Sequence, residues 1–316
     1  MENNTQLKEM IRSMVIDILQ GQKQEMASSQ PIKQAPRGQV EPGVFDTVDE
    51  AIQAAKAAQA RFEDCTLATR EKVIADIRAA MRPRVQELAQ KTVDETGMGR
   101  VADKVLKLNL TLNKTPGVED LVTECETGDN GMTLYELSAY GVIGAITPST
   151  NPAETLICNS IGMLAAGNAI FFSVHPGAKN LSRELVSELN QVIAKSIGIE
   201  NLIVTLREPS IESAQEMMLH PDVSLLVVTG GPGVVKQALQ SGKKVIGAGA
   251  GNPPAFVDET ADIKKAAQDI VLGASLDNNI LCIAEKSVVA MRQIEPQLVQ
   301  EMVKAGCILI ENQQDI

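Results

Sequence analysis

The 316-residue sequence has little of the residue types on which several common classes of protein depend. It has no Trp, aromatic residues make up only 2% of the chain, and 40 Asp and Glu outnumber 29 Lys and Arg. A net charge of −11 argues against the basic surface that is needed to neutralise phosphates. So few aromatic rings also argue against a platform for stacking bases. The composition therefore disfavours a nucleic-acid-binding protein.

Metal ligands and long apolar runs are scarce as well. The five cysteines form no C-x-x-C pair, and the two histidines lie far apart, at positions 175 and 220. This pattern fits a reducing compartment and disfavours a zinc site or a disulfide framework, so we expect no bound metal. No apolar run approaches the ~20 residues of a membrane-spanning helix. The first apolar stretch is interrupted by charges, unlike a secretory signal.

Residues 5–20 have the pattern of an amphipathic helix. The apolar side chains recur at helical spacing on one face: Leu7, Met10, Ile11, Met14, Val15, Ile18 and Leu19. Residues 21–42, rich in Gln, Ser and Pro, predict a flexible linker. A helix this short is marginal alone in water, so it must pack against its own protein or against a partner. The linker favours a detachable docking peptide, and the mixed charges of the polar face disfavour a membrane surface.

From Asp46 to Asp94 the pattern is helical, and the two glycines of 95–100 predict a turn. The middle of the chain then alternates short apolar runs with helical patterns. The runs cover residues 141–147, 169–174, 202–206 and 224–228. They are rich in Val, Ile and Leu without polar alternation, which predicts strands of a parallel sheet buried on both faces. With helices between the strands, the pattern predicts a doubly wound α/β fold. Such a sheet binds ligands at the carboxyl ends of its strands.

Three loops follow these strands and are the candidate binding segments: 147–152, 175–177 and 229–233. The third, TGGPG, has glycines that let the backbone approach an anion, and it precedes a helix. Taken alone, the loop is more typical of a plain Gly/Pro turn, since such turns are common. The GAGAG run at 247–251 resembles a dinucleotide fingerprint, but the prolines after Asn252 oppose a helix there. It predicts an extended glycine strand that a ligand or another backbone passes closely.

Cysteine and histidine offer few candidates for chemistry. His175 and His220 each precede Pro, which is typical of turn residues. Four cysteines have the pattern of small apolar residues that pack in the interior: Cys65, Cys125, Cys158 and Cys307. Cys282 differs because it lies in a polar, amide-rich turn at 277–282 that follows a helical run. Composition alone favours a structural thiol at this position, and a reactive thiol is the alternative.

Six motifs occur together in one order along the chain. They are TPSTNP (147–152), MLAAGN (163–168), TGGPG (229–233), GAGAGNPP (247–254), VDETAD (257–262) and NNILC (278–282). This set resembles the coenzyme-A-acylating branch of the aldehyde dehydrogenase superfamily. Further segments are more similar to its propionaldehyde-oxidising members from propanediol-utilisation microcompartments than to acetaldehyde-oxidising members of ethanolamine metabolism, which are the alternative. The resemblance covers residues 43–316.

The resemblance implies a domain organisation and a cellular setting. We expect an NAD-binding domain with a doubly wound parallel sheet at 43–252, and the start of a second α/β, catalytic domain at 253–316. Relatives continue well beyond this length, so we expect a chain that is shortened at its C-terminus. Encapsulation helices of this group imply that residues 5–20 dock on a microcompartment shell protein. The protein would then be a homo-oligomer at full length, in the microcompartment lumen within the cytoplasm. A shell-docking fragment without chemistry is the non-enzymatic alternative.

The resemblance also assigns roles to residues. It makes Cys282 the nucleophile and Asn151 the oxyanion donor together with the Cys282 backbone N–H, with Thr150 left open as the alternative donor. The positions implied for NAD are Ile146, Thr147, Pro148, Ser149, Thr150, Ser173, His175, Thr229, Gly230, Gly231 and Gly249. Ser173 and Pro176 replace the lysine–glutamate pair with which many relatives hold the adenosine ribose. NAD versus NADP stays open, although the lack of a nearby Lys or Arg disfavours a 2′-phosphate.

Ala248 decides the expected acceptor of the acyl group. It stands where the resemblance places a water-activating glutamate in hydrolytic relatives, and alanine cannot act as a general base. A thiol with a pKa of about 8.5 is already partly ionised at neutral pH and needs less help. We therefore expect NAD-dependent oxidation of propionaldehyde to a thioester on Cys282. Transfer of the acyl group to coenzyme A would then release propionyl-CoA and NADH.

Overall fold

The computed structural model describes residues 41–310 and residue 312. The predicted docking helix at 5–20 and nearly all of the predicted linker at 21–42 lie outside these residues. The described helices are α1 (Val48–Glu63), α2 (Leu67–Met81), α3 (Val85–Thr96), α4 (Val101–Lys114), α5 (Pro152–Ala165), α6 (Lys179–Ile197), α7 (Ile211–Leu219), α8 (Pro232–Leu239), α9 (Ile263–Ser275) and α10 (Glu295–Lys304). The described strands are β1 (Val44–Phe45), β2 (Glu124–Gly128), β3 (Gly131–Tyr135), β4 (Val142–Ile146), β5 (Ala169–Ser173), β6 (Ile203–Leu206), β7 (Val223–Thr229), β8 (Lys244–Ala248), β9 (Pro254–Val257) and β10 (Ser287–Ala290).

A six-stranded parallel sheet in the order β1-β6-β5-β4-β7-β8 organises this part of the chain. From β4 the chain winds outward through β5 to β6, then returns to add β7 and β8 on the opposite side of β4. Right-handed crossovers place the helices of the two halves on opposite faces of the sheet. The predicted doubly wound fold is confirmed, and its direction reverses between β4 and β7.

Strand register brings the functional loops to one edge of the sheet. Ile146, the last residue of β4, lies opposite Ser173 of β5 and Val228 of β7. The segments that follow these three strands therefore begin at the same level. Every residue of β4, β5 and β6 is buried, which confirms that these apolar runs are covered on both faces.

The helical patterns predicted between residues 46 and 240 are confirmed, and so is the turn after α3. Gly97 and Gly99 adopt φ of 67° and 80°, left-handed values that favour glycine, and end α3 before α4 begins. Neither α4 nor the exposed β2–β3 hairpin was predicted from the sequence, and neither were the later elements β9, β10 and α10. The helical run expected before the turn at 277–282 is α9. No described helix is both long and apolar enough to cross a membrane.

The later elements have a small apolar core of their own. β9 and β10 pair in parallel, and Val257, Ala267, Ile270 and Leu298 are buried together beside them. The larger core extends from Val48 to Ala238 around the six-stranded sheet. The boundary predicted at residue 252 falls in the connection between β8 of one sheet and β9 of the other.

Two of the four cysteines expected in the interior are exposed. Cys158 lies on the solvent face of α5, because Ile157 and Ile161 occupy the face that packs inward. Cys125 is exposed on the β2–β3 hairpin, where every residue is exposed. The expectation of interior packing is therefore wrong for both. Cys65 does pack against the large core.

The glycine strand predicted at 247–251 is confirmed only for its first two residues, which end β8, and residues 249–251 belong to no strand or helix. β8 ends at Ala248, and no helix begins before α9. A Cβ atom at Gly251 would collide with the carbonyl oxygen of Cys282. Another stretch of backbone therefore passes this glycine closely, and that stretch carries the candidate nucleophile.

Candidate active site

A cleft of about 340 Å³ lies at the carboxyl ends of β4, β7 and β8. It is lined by Pro148, Ser149, Thr150, Asn151, His175, Thr229, Gly230, Gly231, Ala248, Gly249, Ala250, Gly251, Ile280, Leu281, Cys282 and Lys286. The cleft opens at the point where the sheet reverses direction, between β4 and β7. This is the place where doubly wound sheets bind ligands.

The structure brings most of the candidate residues to this cleft. Asn151, Cys282 and all three predicted loops contribute to its lining. Ile146, Thr147 and Ser173 do not line it, because they are buried at the ends of their strands. Their predicted contact with a cofactor therefore stays a prediction.

The glycine loop leaves room beside a helix N-terminus. Gly231 is the N-cap of α8, Pro232 is the first helical residue, and the first turn of any helix leaves backbone N–H groups unpaired. A Cβ atom at Gly231 or at Gly249 would have no neighbour within 4 Å. The cleft thus combines open space with the donors and positive dipole end that suit an anionic group.

Cys282 is exposed and lies just after a turn of unusual backbone conformation. Asp277, Asn278 and Asn279 have φ of 50°, 55° and 60°, in the left-handed region that residues other than glycine avoid. Three successive left-handed residues require support from their surroundings, since each is less favourable than a right-handed conformation. The sequence signalled this turn only as a polar, amide-rich segment.

Side chains on the far side of the turn support it. The Asn279 amide donates to the carbonyl oxygens of Ala274 at 2.6 Å and Glu285 at 3.1 Å. Lys286 Nζ donates to the carbonyl oxygens of Asn279 and Leu281, both at 3.0 Å, and to the Asn279 side-chain oxygen. The three ammonium protons of Lys286 are therefore committed to holding the backbone around Cys282.

A buried carboxylate supports the turn from the other side. Asp277 is fully buried, and its carboxylate accepts hydrogen bonds from the Arg100 backbone N–H at 2.8 Å and from Lys107. Lys104 Nζ lies 3.0 Å from the same carboxylate. Burial alone would raise the pKa of Asp277, but these donors outweigh it and hold the pKa below its ordinary value.

Both lysines also reach the loop after β4. Lys104, which is fully buried, donates to the Thr150 carbonyl oxygen, and Lys107 donates to the side-chain oxygen of Asn151. Desolvation lowers the pKa of Lys104, although the nearby Glu154 carboxylate acts in the opposite direction. A buried network of charges thus connects α4, the loop that contains Asn151 and the turn that precedes Cys282.

This network was not predicted from the sequence, because α4 was not predicted. A signal was present: Lys104 precedes Leu108 by four residues and Leu112 by eight, so it occupies the apolar stripe of the helix. A lysine in such a stripe must be paired when it is buried. The sequence does not show which residue pairs with Lys104, because that partner, Asp277, lies 173 residues away.

Among the described residues, those that line the cleft include no carboxylate. Ala248 lines it as an apolar methyl group. His175 Nδ1 accepts the Gly177 backbone N–H at 3.0 Å, so that nitrogen is already occupied. Lys286 Nζ donates to three oxygen atoms of the turn and offers no acceptor. The lining therefore offers a sulfur nucleophile without a carboxylate to activate water.

Comparisons with known proteins agree with this arrangement. The aldehyde dehydrogenase family model matches residues 18–309. The propanal dehydrogenase (CoA-propanoylating) of Salmonella typhimurium is 48% identical over 308 residues, which cover 98% of this chain and 64% of that enzyme. The chain thus spans less than two thirds of the length of this relative.

Two solved structures share the fold. A propionaldehyde dehydrogenase from the fucose utilisation bacterial microcompartment of Clostridium phytofermentans has a TM-score of 0.83 and 50% identity, covering 87% of this chain and 64% of that one. The propionaldehyde dehydrogenase of Rhodopseudomonas palustris with bound CoA and an acylated cysteine has a TM-score of 0.83 and 49% identity. The match covers 87% of this chain and 63% of that one. Because the family model spans most of the sequence, the chain belongs to the aldehyde dehydrogenase family.

Proposed function

We propose that the whole protein oxidises propionaldehyde with NAD and transfers the acyl group to coenzyme A. The observation that carries this proposal is that Cys282 and the TGG loop line one cleft, where the part of the chain that the structure describes contributes no carboxylate. The shared cleft supports oxidation through a thioester on Cys282. The lack of a carboxylate supports transfer to a thiol in preference to hydrolysis.

The cleft suits a dinucleotide that extends across the sheet edge. Its pyrophosphate would lie at the N-terminus of α8, beside Gly231, where a Cβ atom would meet open space and the first turn of the helix leaves N–H groups unpaired. The 148–151 segment, His175 and Gly249 would line the remainder of the bound cofactor. Bound NAD supplies a hydride acceptor. Ile146, Thr147 and Ser173 would act from beneath the cleft, by shaping the strand ends that carry these loops.

Cys282 performs the covalent chemistry in this proposal. Its thiolate attacks the aldehyde carbon and forms a carbon–sulfur bond, while the carbonyl oxygen takes the negative charge. The Asn151 amide and the Cys282 backbone N–H stabilise that charge, and removal of one such donor typically slows a reaction by about 10²–10³-fold. Loss of hydride from the same carbon leaves a thioester on Cys282.

The acceptor follows from the composition of the lining. Water needs a general base to attack a thioester at neutral pH, and neither Ala248 nor the occupied Nδ1 of His175 provides one. The thiolate of coenzyme A attacks without that help, forms the new thioester and releases Cys282. Propionaldehyde as the substrate is supported by the names of the Salmonella, Clostridium and Rhodopseudomonas relatives.

Mass spectrometry of the intact protein tests acyl transfer. With propionaldehyde and NAD but no coenzyme A, we expect one equivalent of NADH and a propionyl adduct on Cys282 that persists, because water lacks a base. Addition of coenzyme A should remove the adduct and release propionyl-CoA. Rapid turnover to free propionate without coenzyme A would contradict the proposed acceptor. The same measurement with acetaldehyde determines the preference for chain length.

We also propose that residues 5–20 dock the protein on a microcompartment shell protein, which would place it in the lumen. The proposal is supported by the apolar stripe at 5–20 and by the microcompartment origin of the Clostridium relative. Replacing Leu7, Ile11 and Ile18 by Ser should abolish co-purification with shells and leave NADH formation unchanged. The matched control changes Lys8, Arg12 and Ser13, on the polar face, to Ala and should retain co-purification. Unchanged co-purification after deletion of residues 1–20 would contradict this role.

A further inference from the structure

The Lys107 ammonium lies where the two sides of the candidate active site meet. It donates to the side-chain oxygen of Asn151, in the loop after β4, and to the carboxylate of Asp277, in the turn before Cys282. It also lies 3.3 Å from a carboxylate oxygen of Glu154. Its side chain is 11% exposed, so these contacts are largely shielded from water.

Contact with an ammonium determines how the Asn151 amide is oriented. An ammonium group can only donate, so the atom of Asn151 that faces Lys107 must be the carbonyl oxygen. The NH₂ group therefore points away from Lys107. One of its two hydrogens bonds the Thr150 hydroxyl, with Nδ2 to Oγ1 at 3.1 Å, which leaves the second hydrogen free in a residue that lines the cleft.

The second contact of Lys107 bears on the nucleophile. Asp277 is the first of the three left-handed residues, and its own backbone N–H donates to Asp103 Oδ2 at 2.9 Å. Its carboxylate is fully buried and is balanced by Lys104 and Lys107. Without Lys107, the support on this side of the turn would lose one of its two cations. The placement of Cys282, five residues further along the chain, depends on that turn.

We propose that Lys107 is a positioning residue that holds the Asn151 amide and the turn before Cys282 at once. A single cation thereby fixes the oxyanion donor relative to the nucleophile. This role rests on the proposed function, in which both groups act on the aldehyde carbonyl. Lys107 itself touches neither substrate nor cofactor, since it does not line the cleft.

A double-mutant cycle on the holoenzyme tests the role, with propionaldehyde, NAD and coenzyme A as substrates. Lys107→Met should lower kcat about 10- to 100-fold and change the KM for propionaldehyde less than about threefold, because it misplaces reacting groups and spares binding. In the Asn151→Ala background, the factor by which Lys107→Met lowers kcat should be at least about tenfold smaller. Lys107→Gln keeps an N–H donor, should recover part of kcat, and serves in the cycle if the Met variant does not fold. If the loss of kcat in the double variant equals the product of the two single losses within about twofold, the two residues act independently and the proposal is overturned.

Lys104→Met is the matched control, because Lys104 is buried one turn earlier and contacts Asp277 and the Thr150 backbone without reaching the Asn151 amide. Its effect on kcat should multiply with that of Asn151→Ala. If Lys104→Met and Lys107→Met showed the same coupling to Asn151→Ala in kcat, the cause would be a general loss of packing, and the proposal would be overturned.

NMR of the Asn151 side-chain amide provides a readout that is independent of turnover. Its ¹⁵N and ¹H resonances should shift in Lys107→Met and much less in Lys104→Met. Unchanged resonances in Lys107→Met would overturn the proposal. If the wild-type protein forms no NADH, the proposed function fails, while these resonances still decide whether Lys107 orients Asn151.

Discussion

Replacing Cys282 by Ala is expected to lower NADH formation from propionaldehyde by at least about 10⁴-fold, the typical result of removing a covalent nucleophile. Alanine cannot form the carbon–sulfur bond, so no thioester can accumulate and nothing can be passed to coenzyme A. NADH absorbance gives the rate. Mass spectrometry should show that the propionyl adduct is absent from the variant.

Cys158→Ala is the matched control for this prediction. Cys158 is also an exposed free cysteine, but it lies on the solvent face of α5 and does not line the cleft. Its removal should leave both the rate and the adduct within about twofold of the wild type, as for most surface substitutions. A Cys282→Ala protein that retained a tenth of the wild-type rate would refute the assignment of the nucleophile.

Replacing Asp277 by Ala is expected to lower the free energy of unfolding by about 3–5 kcal/mol, the usual result of breaking a buried ion pair. The substitution leaves the ammonium groups of Lys104 and Lys107 without the buried carboxylate that balances them. It also removes the acceptor of the Arg100 backbone N–H. Urea unfolding followed by circular dichroism measures the change.

Asp269→Ala provides the comparison. Asp269 pairs with Lys265 one turn away on α9, and both side chains are more than half exposed, so its removal should cost about 0.3–0.5 kcal/mol. If the two substitutions were equally destabilising, the burial of Asp277 would not be the source of its effect.

The pH dependence of stability provides a second measurement on Asp277. Its pKa in the folded protein is below the ordinary value, so the proton binds more weakly to the folded state than to the unfolded state. The stabilisation from the carboxylate is therefore present above its unfolded pKa of about 3.9 and is lost as the pH falls through the lower folded value. The difference in unfolding free energy between wild type and Asp277→Asn should shrink between about pH 5 and pH 2. A constant difference would show that the charge of Asp277 makes no contribution.

The parallel sheet could be predicted because its signals are local. Apolar runs such as 169–174 and 224–228 carry no alternation, and burial on both faces is the simple physical reason for that pattern. The lack of a helix in the GAGAG segment was predictable from the prolines that follow it, which oppose a helix whatever the surroundings. The expectation for Cys158 failed because a weakly polar thiol is accepted on either face of a helix.

The candidate cleft was predictable in part. Its loops follow strands, and parallel topology brings the ends of strands to one edge, so the 147–152 and 229–233 loops were expected there. The role of Cys282 came from resemblance, since composition alone left a structural thiol open. The choice between Asn151 and Thr150 as oxyanion donor remains a prediction, and the contact between Lys107 and the Asn151 oxygen favours Asn151.

The order of residues along the chain specified strands, helices and the loops between them, because each depends on the spacing of neighbouring side chains. Tertiary structure alone determined that Lys107 meets both Asn151 and Asp277, residues 44 and 170 positions away along the chain. It also determined that three left-handed residues precede the nucleophile, a conformation that needs the buried carboxylate and its cations to persist. Charge pairing across such separations leaves no periodic trace in a sequence, since it arises only when the packing of the sheet and α4 removes those groups from water.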